Sequence, residues 1–344
     1  MTPHQSDGKK PRTLRKSGRG ILLTILVTVS LFFLIWSVPL PYYFREPGEP
    51  INAVRIVQVE GKEPSPDGIF ITTVISNRAN GVLYLYHYFR PDSRLVPVKS
   101  AGSAIVNAEA LIEDPYEVQL QESTYRARLF ALREMGYDLP VEFDGAQVTA
   151  HLPGSRSVDI LHPGDVITAV DGERIRRQED IHRYVNRMMD QGKTTFQVTF
   201  IHNGNETTRQ IAAIRDQHRR ASLGTYYQTH LRRVDMPVNI TITPRGFSGS
   251  SAGLPIFLEI IRQMSEEDIT HGFRIAATGT ITRTGHLDPV EGVQYKVTGA
   301  IKAGSDVFIC PPGNFREARR VADGRIRVIT AGDLGQVLLA MKGL

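Results

Sequence analysis

From Gly20 to Phe44 the chain carries no charged side chain, and Ile21 to Trp36 is nearly all aliphatic or aromatic. Roughly 20 such residues span the hydrocarbon core of a bilayer. The run therefore predicts a transmembrane helix over 20–41, which divides the chain into a short basic tail, 1–19, and a large remainder on the other side. Lys9, Lys10, Arg12, Arg15, Lys16 and Arg19 against Asp7 account for the whole net charge of +5. That basic tail predicts a cytoplasmic N-terminus and an extracytoplasmic remainder. Trp36, Tyr42 and Tyr43 suit the far interface. A cleavable signal peptide is the competing reading. The apolar run is longer than an ordinary signal core, however, and Pro39 and Pro41 follow it instead of a small-residue cleavage site. The expectation is a single-pass anchor in the cell membrane. Because the basic excess belongs to the tail, it gives no support to a nucleic-acid surface, and no nucleic-acid partner is expected.

A chain of 344 residues is long enough for two or three domains. Its one cysteine, Cys310, excludes an intrachain disulfide framework, and its apolar neighbours Val307-Phe308-Ile309 read as the site of a buried, inert thiol. After the anchor, Val54 to Val59 and Ile69 to Val74 read as strands separated by turn signals at Pro64-Ser65-Pro66-Asp67-Gly68. Glu117 to Met135 reads as an amphipathic helix through Val118, Tyr125, Leu129, Leu132 and Met135, ended by Gly136. These make a membrane-proximal β-rich segment with a helix, 42–137, and packing is the expected role of the helix.

The next unit is expected over 138–215. Gln147 to His151 reads as a strand, and Gly164-Asp165 turns the chain into another. Asp171-Gly172 makes a tight hairpin, Gln178 to Met189 a helix, and a second hairpin turns at Asn203-Gly204. The contiguous stretch Leu161-His162-Pro163-Gly164-Asp165-Val166-Ile167, continuing to Val170-Asp171-Gly172, resembles the L-x-P-G-D-x-I-x-x-V-D-G signature of PDZ domains. That resemblance implies a fold that binds an extended peptide by strand addition, with its binding loop near Tyr137 to Phe143. A PDZ fold kept only as a spacer or cover is the alternative.

From 222 to 344, strand and helix signals alternate in an α/β pattern. Strands are expected at Val238 to Thr243, Ile275 to Thr282, Asp306 to Cys310 and Ile326 to Ile329. Helices are expected after Ser251, around Lys296, from Asn314 and from Asp333. Gly249-Ser250-Ser251-Ala252-Gly253 lies between the first strand and a densely apolar helix. Such a turn lets a substrate backbone approach closely and points unpaired helix N–H groups at whatever sits on the serine, as an oxyanion requires. A plain glycine turn with a serine N-cap reads the same way. The second stretch, Gly292 to Ala300, places Lys296 on the apolar side of a helix with Val293, Val297 and Ala300. A lysine there usually snorkels to water; if it does not, desolvation lowers the amine's pKa toward that of a general base. Serine plus desolvated lysine is a known form of nucleophilic acyl transfer.

These two stretches resemble the Lon-type protease family. Gly249 to Gly253 is similar to that family's nucleophile turn, G-P-S-A-G, with Ser250 in place of the proline. Ala277 to Ile281, Gly285 to Val293 and Lys296 are similar to its lysine block, with Glu291 in place of a glycine. The resemblance implies Ser251 as nucleophile, Lys296 as base, Thr278 as the threonine that holds the amine, and Gly249, Ser250 and Gly253 as turn and oxyanion residues. It covers about 225–344 and implies a multidomain chain: a transmembrane helix, a β-rich segment, a PDZ domain and an α/β Lon-type proteolytic domain. The expected activity is serine endopeptidase action on extracytoplasmic peptide or unfolded protein. No G-x-x-x-x-G-K-[ST] occurs, so an ATP-independent branch is expected. Neither cofactor nor metal is expected, since no H-E-x-x-H occurs and the histidines are scattered. Lon-type domains often form rings, so a homo-oligomer is compatible with this reading. Gly249 to Gly253 also satisfies G-x-S-x-G of α/β-hydrolases, but the later histidines, His271 and His286, precede several further elements, against that fold's order. The alternative of another class is a catalytically silent, membrane-anchored PDZ adaptor. Asn205-Glu206-Thr207 and Asn239-Ile240-Thr241 fit the glycosylation pattern; the second lies in an expected core strand and reads as chance.

Overall fold

The structure, a computed structural model, describes residues 14–63, 65, 68–98, 115–152, 154–215 and 221–344. Lys9, Lys10 and Arg12 of the basic tail and Pro64, Pro66 and Asp67 of the expected turn lie outside them. The apolar run forms helix α1 (Leu14–Ser37). Its Gly20–Ser37 stretch has a mean hydropathy of 2.3, is not buried by the protein, and is long and apolar enough to cross a membrane.

The strands described after α1 are β1 (Pro39–Pro47), β2 (Ile51–Asn52), β3 (Val57–Val59), β4 (Ile69–Ile71), β5 (Val74–Asn80) and β6 (Arg94–Pro97). β1 runs antiparallel between β5 and β6. A helix the sequence reading missed, α2 (Gly81–Tyr88), joins β5 to β6. Its aromatic composition favours a strand. Asn80 starts it nonetheless, with Oδ1 accepting the Leu83 N–H at 2.8 Å, an N-cap that satisfies one orphan donor of the first turn. Helix α3 (Pro115–Glu134) closes this part.

Residues 137–237 form a compact unit of their own. It contains β7 (Phe143–His151), β8 (Val166–Val170), β9 (Glu173–Arg174), α4 (Gln178–Asp190), β10 (Thr195–His202), β11 (Asn205–Ala212), β12 (Ile214–Arg215), β13 (Ala221–Ser222) and β14 (Thr225–Leu231). The main sheet has the order β11-β10-β8-β7-β14, with β9 on β8. Ile181 and Val185 of α4 pack with Ile167, Phe196, Val198 and Ile211 in its core. Asp171 and Asn203 take positive φ values of 50° and 48°, which the two Xaa-Gly hairpins require. Asp165 is buried because it closes its own turn, accepting from the His162 N–H at 2.8 Å, and it sits 2.7 Å from His202 Nδ1. The element order is the one the PDZ-like signature implied, with one difference. The expected boundaries, 138–215 and 222–344, divide the chain too early. β14 pairs with β7 over Thr225 to Leu231 and completes this unit, which ends at Pro237.

The other compact unit joins residues 1–136 to 238–344. The segment 42–137 is thus not a separate domain. Its β3 pairs with β15 (Ile240–Ile242), and its β4 enters the central sheet. That sheet has the order β2-β4-β16-β19-β20, with β16 (Ile275–Ala277), β19 (Val307–Cys310) and β20 (Arg327–Thr330). β4, β16, β19 and β20 run parallel and β2 antiparallel. β4, β16 and β19 are buried throughout, as expected of parallel strands covered on both faces. The expected strand Ile275 to Thr282 is broken. It resumes as β17 (Thr280–Ile281), paired with β18 (Leu287–Asp288). Helices α5 (Gly253–Met264), α6 (Val293–Lys302), α7 (Pro312–Ala322) and α8 (Leu334–Lys342) complete the unit. Val293, Val297 and Ala300 of α6 share a core with Phe70, Ala276, Phe308 and Cys310.

Candidate active site

Gly249, at φ 84°, leads into a single 3-10 turn, Ser250–Ala252, which runs directly into α5. A residue with a Cβ is strained at that φ. The first nine residues of α5, Gly253 to Ile261, are all buried, so the helix is held by packing and its N-terminus cannot swing. The turn is clamped from both sides. The Ser251 carbonyl accepts the Gly279 N–H at 3.0 Å, and the Leu254 N–H donates to the Gly279 carbonyl at 3.1 Å. Ser123 Oγ, on α3, donates to the Ser250 carbonyl at 2.7 Å. A Cβ on Gly253 would come within 2.5 Å of that Ser123 Oγ, so this glycine is needed for the close approach of α3.

Lys296 projects from α6 and is 4% exposed. Its Nζ lies 2.7 Å from Ser251 Oγ and 2.9 Å from Thr278 Oγ1. Thr278 is fully buried. It occupies the break between β16 and β17, where its N–H donates to the Ile309 carbonyl at 3.0 Å. Thr278 thus meets the amine from the point where the strand is interrupted. Burial alone pulls the Lys296 amine down from its ordinary value to about 7, because charge is costly where water is excluded. At that value the amine is substantially neutral near pH 7. Its lone pair can then accept the Ser251 hydroxyl proton while one N–H stays on Thr278.

The structure therefore brings Ser251, Lys296 and Thr278 into mutual contact, with Gly249 and Ser250 at the mouth of the same cleft and Gly253 behind it, against α3. Ser250 Oγ lies 2.9 Å from Thr280 Oγ1, so the side chain that stands where the family motif has proline is tied down locally. The cleft has a volume of about 800 Å3 and includes Thr72, Tyr43, Arg45, Phe247 and Glu291 in its walls. Arg45 Nη1 reaches Glu291 Oε2 at 3.4 Å. The sequence reading missed Tyr43, Arg45, Thr72 and Ser123. All four come from the segment before residue 137, and no local pattern marks them. Long-range contacts carry that segment to the turn: β4 pairs with β16, β3 with β15, and Ser123 of α3 bonds the Ser250 carbonyl. Of the two later histidines, His286 lies in a different hollow of about 440 Å3, with Asp333 and Phe130, and its Nδ1 is 3.0 Å from Thr284 Oγ1. Neither it nor His271 is a wall of the Ser251 cleft, which counts against the α/β-hydrolase alternative. The thiol of Cys310 is fully buried and pushed up to about 12 by burial, which leaves it inert.

Residues 192–341 match the Lon protease (S16) C-terminal proteolytic domain. The match begins inside the strand-rich unit, so it does not coincide with a compact unit. A Lon protease of Clostridium acetobutylicum is 31% identical over 93 residues, which is 26% of this chain and 12% of that protein. An archaeal Lon protease of Archaeoglobus fulgidus is 29% identical over 120 residues, 34% of this chain and 19% of that protein. The matched stretches thus span less than a fifth of these curated relatives. A PDZ domain of an SdrC-like protein from Listeria monocytogenes aligns at 22% identity with a TM-score of 0.23, over 26% of this chain and 93% of that domain.

Proposed function

We propose, from the premise that this chain carries a Lon-type (S16) proteolytic domain, that the whole protein is a membrane-anchored serine endopeptidase that works without ATP. The observation that carries this is the 2.7 Å approach of a buried lysine amine to the hydroxyl on the glycine-flanked turn. Neutral Lys296 takes the proton from Ser251 Oγ as that oxygen attacks a peptide carbonyl. Backbone N–H groups of the turn, that of Ser251 among them, receive the oxyanion. The charged Lys296 then protonates the leaving amine, which departs as the acyl-enzyme forms. Lys296 next takes a proton from water, and the resulting hydroxide attacks the ester. Collapse releases the carboxylic acid, and the proton returns to Ser251 Oγ. Thr278 Oγ1 orients the amine throughout.

The basic tail and α1 support an anchor with the N-terminus in the cytoplasm and the enzyme outside it. Substrates are then extracytoplasmic peptides or unfolded proteins. The PDZ-like unit is assigned to selecting substrate or gating the cleft. The decisive experiment is labelling with an acylating serine probe. Wild-type protein is expected to be labelled and Ser251→Ala not. A Lys296→Ala protein that kept full peptidase activity would refute the dyad, and an unlabelled, inactive wild type would leave the silent adaptor. Deleting 137–237 is expected to reduce cleavage of proteins more than of short peptides. Equal losses on both would remove the selecting role.

A further inference from the structure

We infer that α2 and the residue that follows it form a lipid seat, a surface that lies in the headgroup layer of the bilayer entered by α1. This rests on the anchor reading above. Leu85, Tyr88 and Phe89 follow at i, i+3 and i+4, so they share one helix face, and they are 58%, 65% and 78% exposed. Tyr86 beside them is 56% exposed. Four large apolar or aromatic side chains in one short stretch make a patch that marks an interaction surface.

That face cannot be turned inward, because the opposite side of α2 is fixed. His87 is 3% exposed and stacks on Phe44 with ring centres 3.8 Å apart. Tyr84, four residues before Tyr88 and stacked on it with ring centres 6.3 Å apart, meets the edge of Tyr42 at 5.2 Å and ties the flank of the patch to β1. The position of the patch decides what covers it. Gly81, the first residue of α2, packs so closely on α1 that a Cβ there would come within 2.5 Å of Ile35 Cγ2. Ile35 lies in the last turn of α1, next to Trp36, itself 52% exposed. The patch therefore continues the apolar surface of the spanning helix at its distal end. Tyrosine and tryptophan, apolar bodies with polar tips, are the residues that collect at that depth of a membrane. An occupant other than lipid would have to share this corner with the bilayer already around α1.

The seat also bears on the cleft. β1 sends Tyr42 to α2, while Tyr43 and Arg45 of the same strand line the site. A cleft tied in this way to the bilayer surface favours polypeptide segments lying close to the membrane.

Full-length protein in phosphatidylcholine vesicles containing doxyl-labelled lipid tests this. Cys310 is fully buried, so a bimane label goes to one introduced cysteine at a time: Leu85→Cys, Phe89→Cys, Leu31→Cys in α1, or Arg320→Cys on α7, where the native side chain is 75% exposed. The labels at 85 and 89 are expected to be quenched several-fold more than that at 320 and less than that at 31. Quenching at 85 and 89 equal to that at 320, with 31 strongly quenched, would overturn the seat and leave the anchor standing. A blue-shifted but unquenched label at 85 or 89 would show a protein surface over the patch and overturn it equally. If 31 were unquenched too, anchor and seat would fall together.

Discussion

The strand-rich unit closes on itself over one uninterrupted stretch, 137–237, whereas the unit that holds Ser251 and Lys296 takes chain from both sides of it. In the first, β7, β8, β10 and β11 pair with strands near them in sequence, and β14 alone returns from further along. In the second, β4 lies beside β16 with Ile69 opposite Ile275, and Ser123 reaches Ser250. One unit could be lifted out whole, while the other depends on an insertion that leaves its two halves free to meet. The difference locates the vulnerability of the site: Arg45, Thr72 and Ser123, which line or support it, lie outside the proteolytic segment proper.

The sharpest way to break that contrast is to express the parts. Residues 137–237 alone are expected to melt cooperatively and give dispersed amide resonances. Residues 238–344 alone are expected to remain unfolded by the same measures, because they lack β3, β4 and α3. A folded, active 238–344 fragment would make the contrast meaningless. Next in size is Ser251→Ala, which is expected to lower kcat/KM on a peptide substrate by about 10^3-fold or more, with an unchanged far-UV spectrum.

The pH dependence sharpens the comparison from within the site. With the amine at about 7, kcat/KM is expected to rise as pH climbs through 7 and Lys296 loses its proton. Stability follows the same group. Its folded-state pKa lies below the unfolded value, so between about 7 and the ordinary lysine value of 10.5 the unfolded chain holds more protons, and stability rises with pH. Below 7 both states are charged and the full burial penalty persists. Lys296→Met is therefore expected to be inactive yet stabilised at pH 7 by about 2 kcal/mol, a discounted share of the titration penalty. A melt at pH 7 and again at pH 10 checks the sign, since the gain should shrink at the higher pH. The smallest effect is that of Ser123→Ala. It removes one hydrogen bond to the turn that carries Ser251 and is expected to cost about 1 kcal/mol, with a fall in kcat rather than a rise in KM. A wild-type kcat would show that α3 supports the fold without positioning the turn.

Much of the strand-rich unit was legible because its turns are written locally. Asp171-Gly172 and Asn203-Gly204 encode their own positive φ values, and the helix Gln178 to Met189 differs from the observed α4 by one residue. The partners of the site were legible in kind, since a serine on a small-residue turn and a lysine on an apolar helix face each carry a chemical signature. Helix α2 was not, because its Tyr and Val side chains favour a strand by propensity, and the Asn80 cap and the helix's contacts with Phe44 and Tyr42 outweigh that. Nor was the break after Ala277, since Ile and Thr extend a strand pattern whether or not the backbone turns away to meet a carbonyl.

The sequence by itself determined that this chain has an apolar span near its start, a self-contained β unit, and an α/β segment with a serine and a lysine of the right surroundings. Those features depend on residues within a few positions of one another. Only the tertiary structure decided that the amine and the hydroxyl stand 2.7 Å apart, that Thr278 reaches the amine through a broken strand, and that Thr72 and Ser123 belong to the site. The first two join side chains 45 and 18 positions apart on different elements, and the last rests on contacts across 205 and 127 positions, which no local pattern can record.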